Sequence, residues 1–154
     1  MNIASVNNKT SERHTDILNS YQSGASNYVQ WAKANLGEIR ITDWTFGELN
    51  LEWELDGRFV MPDGVMFGGH ISSVADHVAS LGTMTVLSDS RDRFRTSRLE
   101  TNFFRPMSAA VVTINVRVTN VSARLIHVEA DFLDPNEKLL VRINALEVRS
   151  RVEA

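Results

Sequence analysis

Two adjacent glycines, Gly68 and Gly69, lie eight and seven positions before an aspartate, Asp76. Apolar residues recur at helical spacing through this stretch, which predicts a helix that opens at the glycines and carries Asp76 near its middle. The first amides of a helix lack intrahelical acceptors, and the helix dipole favours negative charge there. Glycine lets a carbonyl group approach those amides closely. These residue types suit an oxyanion site beside a carboxylate that attacks or activates water.

Each of these residues also has a plainer interpretation. The glycines suit a tight turn from loop to helix, and an isolated aspartate on a helix is most often a solvated surface residue. Asp76 lies outside the main apolar stripe, on a face of the helix made of small residues. This face either packs against another backbone or leaves room for a ligand. Its other members are Ser72, Ala79, Ser80 and Thr83. From the residues alone, both interpretations stay open.

Periodicity predicts the elements that must position this helix, which we expect to run from Gly69 to Leu87. The pattern from Thr10 to Leu36 is helical and is interrupted at Gly24, so we expect two helices or one broken helix, after a polar tail over residues 1–9. Apolar residues alternate in six further runs. The predicted strands are Ile39–Thr45, Glu48–Leu55, Arg95–Phe104, Val111–Val121, Leu125–Phe132 and Leu139–Val148. Short links between the later strands predict antiparallel hairpins.

This order of elements predicts an α+β fold in which one long helix packs on a face of an antiparallel sheet. We expect a tail and helical extension over residues 1–36 and the main domain over residues 37–154. The chain has 154 residues, a net charge of −3 and no cysteine, which excludes disulfides, thiolate metal sites and a cysteine nucleophile. No basic run suits nucleic acid, and no apolar run suits a signal peptide or a membrane span. We therefore expect a cytoplasmic protein.

The segment from Phe67 to Asp76 resembles the hotdog-fold acyl-CoA thioesterases of the 4-hydroxybenzoyl-CoA thioesterase superfamily, in particular the phenylacetate-pathway type. That family shows a Gly-Gly pair followed by an acid on the central helix. It also has a turn with the pattern aromatic–x–Arg–Pro, which residues 103–106 match. The resemblance covers roughly residues 37–149. It implies a hotdog fold, with about five to six antiparallel strands wrapped around the central helix, and assembly as a homodimer or a dimer of dimers.

The resemblance also implies an activity, the hydrolysis of an acyl-CoA thioester to free acid and CoA. It assigns Asp76 as base or nucleophile and the Gly68 and Gly69 amides as oxyanion donors, with Thr96 contributed by the partner subunit. CoA is part of the substrate, so no cofactor is expected. The residues predicted to bind substrate are Phe67, His70, Ser72, Ser97, Arg105 and Arg124. Arg142 is a further candidate for the CoA phosphates.

Two departures from the family pattern leave alternatives open. Phe67 stands where the family has a histidine, and Met61 stands where an asparagine is common. A non-catalytic acyl-CoA-binding protein on the same fold is therefore the main alternative. A hotdog dehydratase would need an aspartate and a histidine several residues apart, whereas Asp76 and His77 are adjacent. No metal site is expected, because His70 and His77 lie about 10 Å apart along a helix.

Two smaller questions also remain open at this level. Glu100 is either a second carboxylate in the cleft or a solvent-facing charge. The tryptophans either line an acyl pocket or pack in the core, which is the more frequent role of tryptophan. They are Trp31, Trp44 and Trp53.

Overall fold

The computed structural model describes residues 8–153, so most of the predicted N-terminal tail lies outside the described residues. This part of the chain forms three α-helices and six β-strands. In chain order they are α1 (Glu12–Gln22), α2 (Asn27–Asn35), β1 (Glu38–Thr45), β2 (Glu48–Glu54), α3 (Gly68–Met84), β3 (Asp92–Phe103), β4 (Val111–Val121), β5 (Leu125–Leu133) and β6 (Leu139–Arg151). One turn of 3-10 helix, Gly57–Phe59, lies between β2 and α3.

The six strands form one antiparallel sheet in the order β1-β2-β4-β5-β6-β3. Consecutive hairpins join β1 to β2, β4 to β5 and β5 to β6, as the short links predict. The strand that follows the central helix, β3, pairs with β6 along its whole length and stands at one edge of the sheet. Its outer edge has no strand partner within residues 8–153. The strand assignments and the antiparallel pairing are therefore confirmed.

The long helix α3 lies across one face of the sheet and contacts every strand from β2 to β6. Its apolar stripe is buried, as the periodicity predicts. The stripe consists of Ile71, Val74, Ala75, Val78 and Gly82. At Gly82 the helix approaches β4 so closely that an added Cβ would lie 2.5 Å from Cγ1 of Val116. This arrangement is the hotdog fold, which confirms the predicted fold class.

The two N-terminal helices pack against β1, and α1 also contacts α3. Serine side chains cap both: Ser11 accepts a hydrogen bond from the His14 amide, and Ser26 accepts one from the Tyr28 amide. Gly24 takes a φ of 80° between them, so the helical region is two helices. No helix within residues 8–153 is both long enough and apolar enough to cross a membrane.

Three boundaries differ from the prediction by three residues, and several others differ by one. Strand β6 continues to Arg151 rather than ending at Val148. The central helix ends at Met84 rather than Leu87, because the Thr85 hydroxyl donates to the Gly82 carbonyl at 2.7 Å and closes the last turn. Strand β3 begins at Asp92 rather than Arg95. Asp92 is almost fully buried and accepts hydrogen bonds from Arg149 and Arg151 of β6, which extends the pairing of the two strands.

Candidate active site

Asp76 and Thr96 meet where the central helix passes the edge strand. Asp76 lies on the exposed side of α3, and Thr96 lies on β3. The Thr96 hydroxyl donates a hydrogen bond of 2.7 Å to Oδ1 of Asp76. The resemblance implies a threonine from the partner subunit, whereas here both residues belong to one chain. The physical reason is that β3 returns beside α3 and brings its own Thr96 to the helix.

A second carboxylate, Glu147, lies behind Thr96. Glu147 faces Thr96 in the β3–β6 register, and its Oε1 is 3.2 Å from the Thr96 hydroxyl oxygen. The side chain is fully buried. Burial, opposed by the Thr96 hydrogen bond and helped by the negative charge of Asp76, raises the pKa of Glu147 to about 7. Sequence reasoning missed this residue, although it continues the inward-facing series Ile143, Ala145, Glu147 in which an acid is unusual.

A cavity of about 300 Å³ opens beside this pair and is bounded by α1, α2, α3 and β3. Asp76, Ser80 and Thr96 contribute polar groups to its wall. A second cavity of about 490 Å³ adjoins it and is lined mainly by apolar side chains. The two cavities share Tyr28, Ser80 and Met84. The carboxylate therefore stands next to a space of a size and polarity that suits an apolar group.

Trp31 is half-exposed at the wall of the second cavity. The other two tryptophans lie elsewhere. Trp53 is fully buried, packs edge-on against Phe132 and donates to the Leu36 carbonyl, while Trp44 donates to the side chain of Asn19. Trp53 is therefore a core residue, and Trp31 is the tryptophan that lines a cavity.

The N-terminus of α3 carries two amides that have no acceptor among residues 8–153. Phe67 is the N-cap residue and makes no side-chain cap, while its carbonyl accepts from the amides of His70 and Ile71. Within the described residues, the amides of Gly68 and Gly69 have no hydrogen-bond acceptor. Gly68 and Gly69 lie roughly 12 and 10.5 Å along the helix from Asp76, at 1.5 Å per residue. Within one chain, these amides and Asp76 are therefore separated by about two helical turns.

His70 and Ser72 do not line the cavities described here. His70 is buried, its ring stacks on Phe59 with centroids 3.7 Å apart, and its Nε2 lies 3.0 Å from the Leu36 carbonyl oxygen. It points to the core because it lies one helical turn before Val74, on the apolar stripe. The Ser72 hydroxyl donates to Thr101 of β3 at 3.2 Å. His70 is thus a core residue here.

The adjacent histidine also differs from a dehydratase arrangement. His77 lines the apolar cavity, and its Nε2 lies 2.9 Å from the Tyr21 hydroxyl. Burial lowers the pKa of His77 to about 4, against the opposing effect of the Asp76 charge. Among the described residues, no three His, Asp or Glu side chains form a group that could hold a metal ion.

The remaining predicted residues lie at the surface. Ser97 is exposed at a bulge of β3, Phe67 is exposed beside the α3 N-terminus, and Glu100 is exposed. Arg105 is exposed and donates to the Leu139 carbonyl at 2.7 Å, while Arg124 is exposed in the β4–β5 turn.

Arg142 is less available than these residues, because its guanidinium makes two hydrogen bonds to Asp131. That pairing lies on the outer face of the sheet and occupies the group predicted for CoA phosphates. Only Arg105 and Arg124 of the three predicted arginines therefore stay candidates for a phosphate group.

Comparisons with known proteins agree with this geometry. The family model of the thioesterase superfamily matches residues 63–141, just over half of the chain. The protein named Putative esterase SSO2140 of Saccharolobus solfataricus is 30% identical over 102 residues, covering 66% of this chain and 71% of that protein.

Solved structures share the fold. The phenylacetic acid degradation-related protein of Ralstonia eutropha JMP134 superposes with a TM-score of 0.72 at 21% identity, covering 86% of this chain and 98% of that one. The hypothetical thioesterase of Streptococcus pneumoniae TIGR4, solved with coenzyme A, superposes with a TM-score of 0.69 at 11% identity, covering 79% and 92%. With the family model matched across the central helix and the strands that follow it, the chain belongs to the thioesterase superfamily.

Proposed function

We propose that this protein hydrolyses an acyl-CoA thioester to a free acid and CoA, with Asp76 as general base or nucleophile. The observation that carries this proposal is the position of Asp76, which is oriented by Thr96 at the wall of one cavity and next to a second, apolar one. A carboxylate held in this way can activate a water molecule or attack the thioester carbon. The adjoining apolar cavity is the proposed site of the acyl group.

The proposed oxyanion donors are the amides of Gly68 and Gly69. Two free amides at the start of a 17-residue helix favour a developing negative charge. Because Gly68 and Gly69 lie roughly 12 and 10.5 Å along the helix from Asp76, we propose that the complete site combines amides from one copy of the chain with Asp76 from another. The outer edge of β3, which has no strand partner in the described part of the chain, and the exposed Phe103 and Phe104 offer a surface for that second copy. We therefore propose a homodimer, or a dimer of such dimers.

The CoA part of the substrate is proposed from chemistry and from one neighbour. The Streptococcus pneumoniae protein was solved with coenzyme A. Arg105 and Arg124 are exposed and suit phosphate groups, and Phe67 is exposed beside the proposed oxyanion amides. A cytoplasmic location stays a prediction.

A thiol-release assay over a panel of aromatic and aliphatic acyl-CoAs tests the activity. We expect the wild-type protein to release CoA and Asp76→Ala to lose about 10²- to 10⁴-fold in kcat, because a positioned base or nucleophile is removed. Glu48→Gln removes an exposed carboxylate of β2 and should leave kcat unchanged. Full activity in Asp76→Ala, with folding verified by circular dichroism, would contradict the role of Asp76.

The non-catalytic alternative rests on Met61 and Phe67. Both are exposed and apolar where the family has polar residues, so neither can hold a water molecule near the site. An acyl-CoA-binding protein should bind the same panel by calorimetry without any release of thiol. That result would indicate that the protein binds acyl-CoA and does not hydrolyse it.

Mixing two inactive variants tests the site between copies. Asp76→Ala keeps the amides, and Gly68→Pro keeps the carboxylate, so a mixed dimer contains one intact site and one defective site. After random reassociation of equal amounts, about a quarter of the wild-type activity should return, since half of the dimers are mixed. No recovery, when light scattering shows that subunits exchange, would indicate a site within one chain.

A further inference from the structure

The Thr96 hydroxyl lies between two carboxylates and has only one proton to donate. Its oxygen is 2.7 Å from Oδ1 of Asp76 and 3.2 Å from Oε1 of Glu147. A hydroxyl donates one hydrogen bond and accepts others through its lone pairs. If the proton points to Asp76, at the shorter distance, Glu147 can bond to Thr96 only as a donor. A donating carboxyl group must carry a proton.

The surroundings of Glu147 also favour the neutral acid. The side chain has no exposed surface, and its Oε2 has no hydrogen-bond partner within the described residues. An unpaired carboxylate oxygen in such a place is costly, whereas the carbonyl oxygen of a neutral acid is much less so. Placing the proton on Oε1 therefore accounts for both oxygens: Oε1 donates to Thr96, and Oε2 is the uncharged carbonyl oxygen.

We propose that Glu147 is a protonated positioning residue, whose donated hydrogen bond makes the Thr96 hydroxyl donate to Asp76 and so fixes the orientation of the Asp76 carboxylate. This inference rests on the proposed role of Asp76. Glu147 does not touch substrate in this arrangement. It acts through Thr96, and Oδ2 of Asp76 stays free of Thr96 for the chemistry.

Loss of the Glu147 proton should undo this orientation. Once Glu147 is an anion, two carboxylates compete as acceptors for the single proton of the Thr96 hydroxyl. The buried Glu147 anion has no water to solvate it, whereas Asp76 is exposed, so the proton should turn to Glu147. Asp76 then loses its donor. Activity should fall as the pH rises through the pKa of Glu147, which is about 7.

The groups that face Glu147 from neighbouring elements indicate that Asp76 is the charged residue with which it mainly interacts. Helix α3 contributes Asp76, β3 contributes Thr96, and β5 places the uncharged Ile126 opposite Glu147. The other titratable and charged residues at the cavity wall are Arg13 and His14 of α1, Tyr28 of α2, and Asp92, Arg93 and Arg95 of β3. Among the charged groups, Asp76 is the one whose charge shifts the pKa of Glu147.

Two substitutions with a pH profile test the proposal. Glu147→Leu removes the donor and should lower kcat about tenfold with little change in KM, because the Thr96 hydroxyl loses the hydrogen bond that fixes its orientation. Glu147→Gln keeps a neutral donor and should recover most of that loss. In the wild type, kcat should fall about tenfold between roughly pH 6 and pH 8.5. In Glu147→Gln this fall should be absent, and in Glu48→Gln it should persist.

A stability measurement separates this inference from the proposed hydrolysis. The pKa of Glu147 is raised from 4.5 to about 7, so between these values the folded chain keeps a proton that the unfolded chain releases. The stability that this proton contributes is present at low pH and is lost as the pH rises through about 7. The wild-type Tm should therefore fall relative to that of Glu147→Gln over this window.

The outcomes are distinct. A pH-independent difference in Tm would overturn the protonated Glu147 whether or not the protein is an enzyme. A fall of kcat with pH that persists unchanged in Glu147→Gln would overturn its positioning role. Absence of thiol release from the wild type would instead contradict the proposed function, and with it the role assigned to Glu147 in that reaction.

Discussion

The Thr96 hydroxyl donates a 2.7 Å hydrogen bond to Oδ1 of Asp76 and so connects the edge strand β3 to the central helix. This contact spans 20 residues of the chain. A hydrogen bond to a charged group stabilises by about 1.5–3 kcal/mol, which is enough to select one orientation of an exposed carboxylate. Asp76 is thus held by one neighbour although it lies at the surface of the helix.

Thr96→Val removes this donor with almost no change of shape. We expect kcat to fall about 10- to 100-fold, because the carboxylate loses its oriented partner. Thr96→Ser keeps the hydroxyl and serves as the matched control, so it should stay within a few-fold of the wild type. Steady-state thiol release measures both variants. A loss in Thr96→Ser alone would point to packing of the threonine methyl group, and full activity in Thr96→Val would contradict the role of the hydroxyl.

Gly68→Pro deletes one amide at the start of α3. Proline suits the first helical position, and Phe67, with φ of −61° and ψ of 125°, has the extended backbone that a residue before proline prefers. Removal of one oxyanion donor costs about 10²- to 10³-fold in kcat, and we expect a loss of this size.

Gly68→Ala is the matched control for that substitution. It keeps the amide, and its Cβ would make an ordinary contact of 3.4 Å with the Phe103 ring. We expect activity close to that of the wild type. If the alanine variant is as impaired as the proline variant in thiol release, the glycine is needed for space and the amide is not the active group.

Gly82→Ala should destabilise the fold. The added Cβ would lie 2.5 Å from Cγ1 of Val116, between a helix and a strand that are both buried. Overpacking of this kind costs about 1–3 kcal/mol in the free energy of unfolding. Chemical denaturation measures the loss. Gly57→Ala is the control, since its Cβ would meet no atom within 4 Å, and a similar loss in both variants would argue against the close contact as the cause.

His77 should make the protein sensitive to acid. Its pKa is lowered from 6.5 to about 4 by burial, so in this window the unfolded chain binds a proton that the folded chain does not. Stability should therefore fall as the pH decreases from 6.5 towards 4. His77→Gln should reduce the fall in Tm, although His14, whose pKa burial also lowers to about 4, should preserve part of it.

Tyr21→Phe separates titration from hydrogen bonding at His77. The substitution removes the hydroxyl that lies 2.9 Å from Nε2 and leaves the buried imidazole in place. It should lower the Tm at every pH while retaining the acid dependence. An acid dependence that disappears in Tyr21→Phe would show that the hydrogen bond, and not the burial of His77, controls the effect.

Local sequence patterns were sufficient for most of the fold. The alternation of Val112, Ile114, Val116 and Val118 predicts β4, and the helical spacing of Ile71, Val74 and Val78 predicts both α3 and its buried face. The same spacing puts Asp76 off the buried stripe. These features depend on residues close together in the chain. Hydrophobic periodicity and turn residues therefore identify them without knowledge of the tertiary structure.

The surroundings of Asp76 depended on contacts between distant elements. His70 and Asp76 lie on the same helix, and only its packing shows that His70 faces the core while Asp76 faces a cavity. Thr96 meets Glu147, 51 residues later, because β3 and β6 pair in one particular register. A shift of that register by one residue would turn one of the two side chains to the other face of the sheet.

The sequence by itself therefore determined an α+β layout, the glycine pair and the candidate carboxylate, since these follow from local period, turn residues and motif. The family resemblance of residues 67–76 then implied the hotdog fold. The tertiary structure alone decided that Thr96 and the buried Glu147 stand behind that carboxylate and that α1 and α2 help to form the cavities beside it. The physical reason is that strand register and helix packing depend on the free energy of the whole core, which no short segment of sequence encodes.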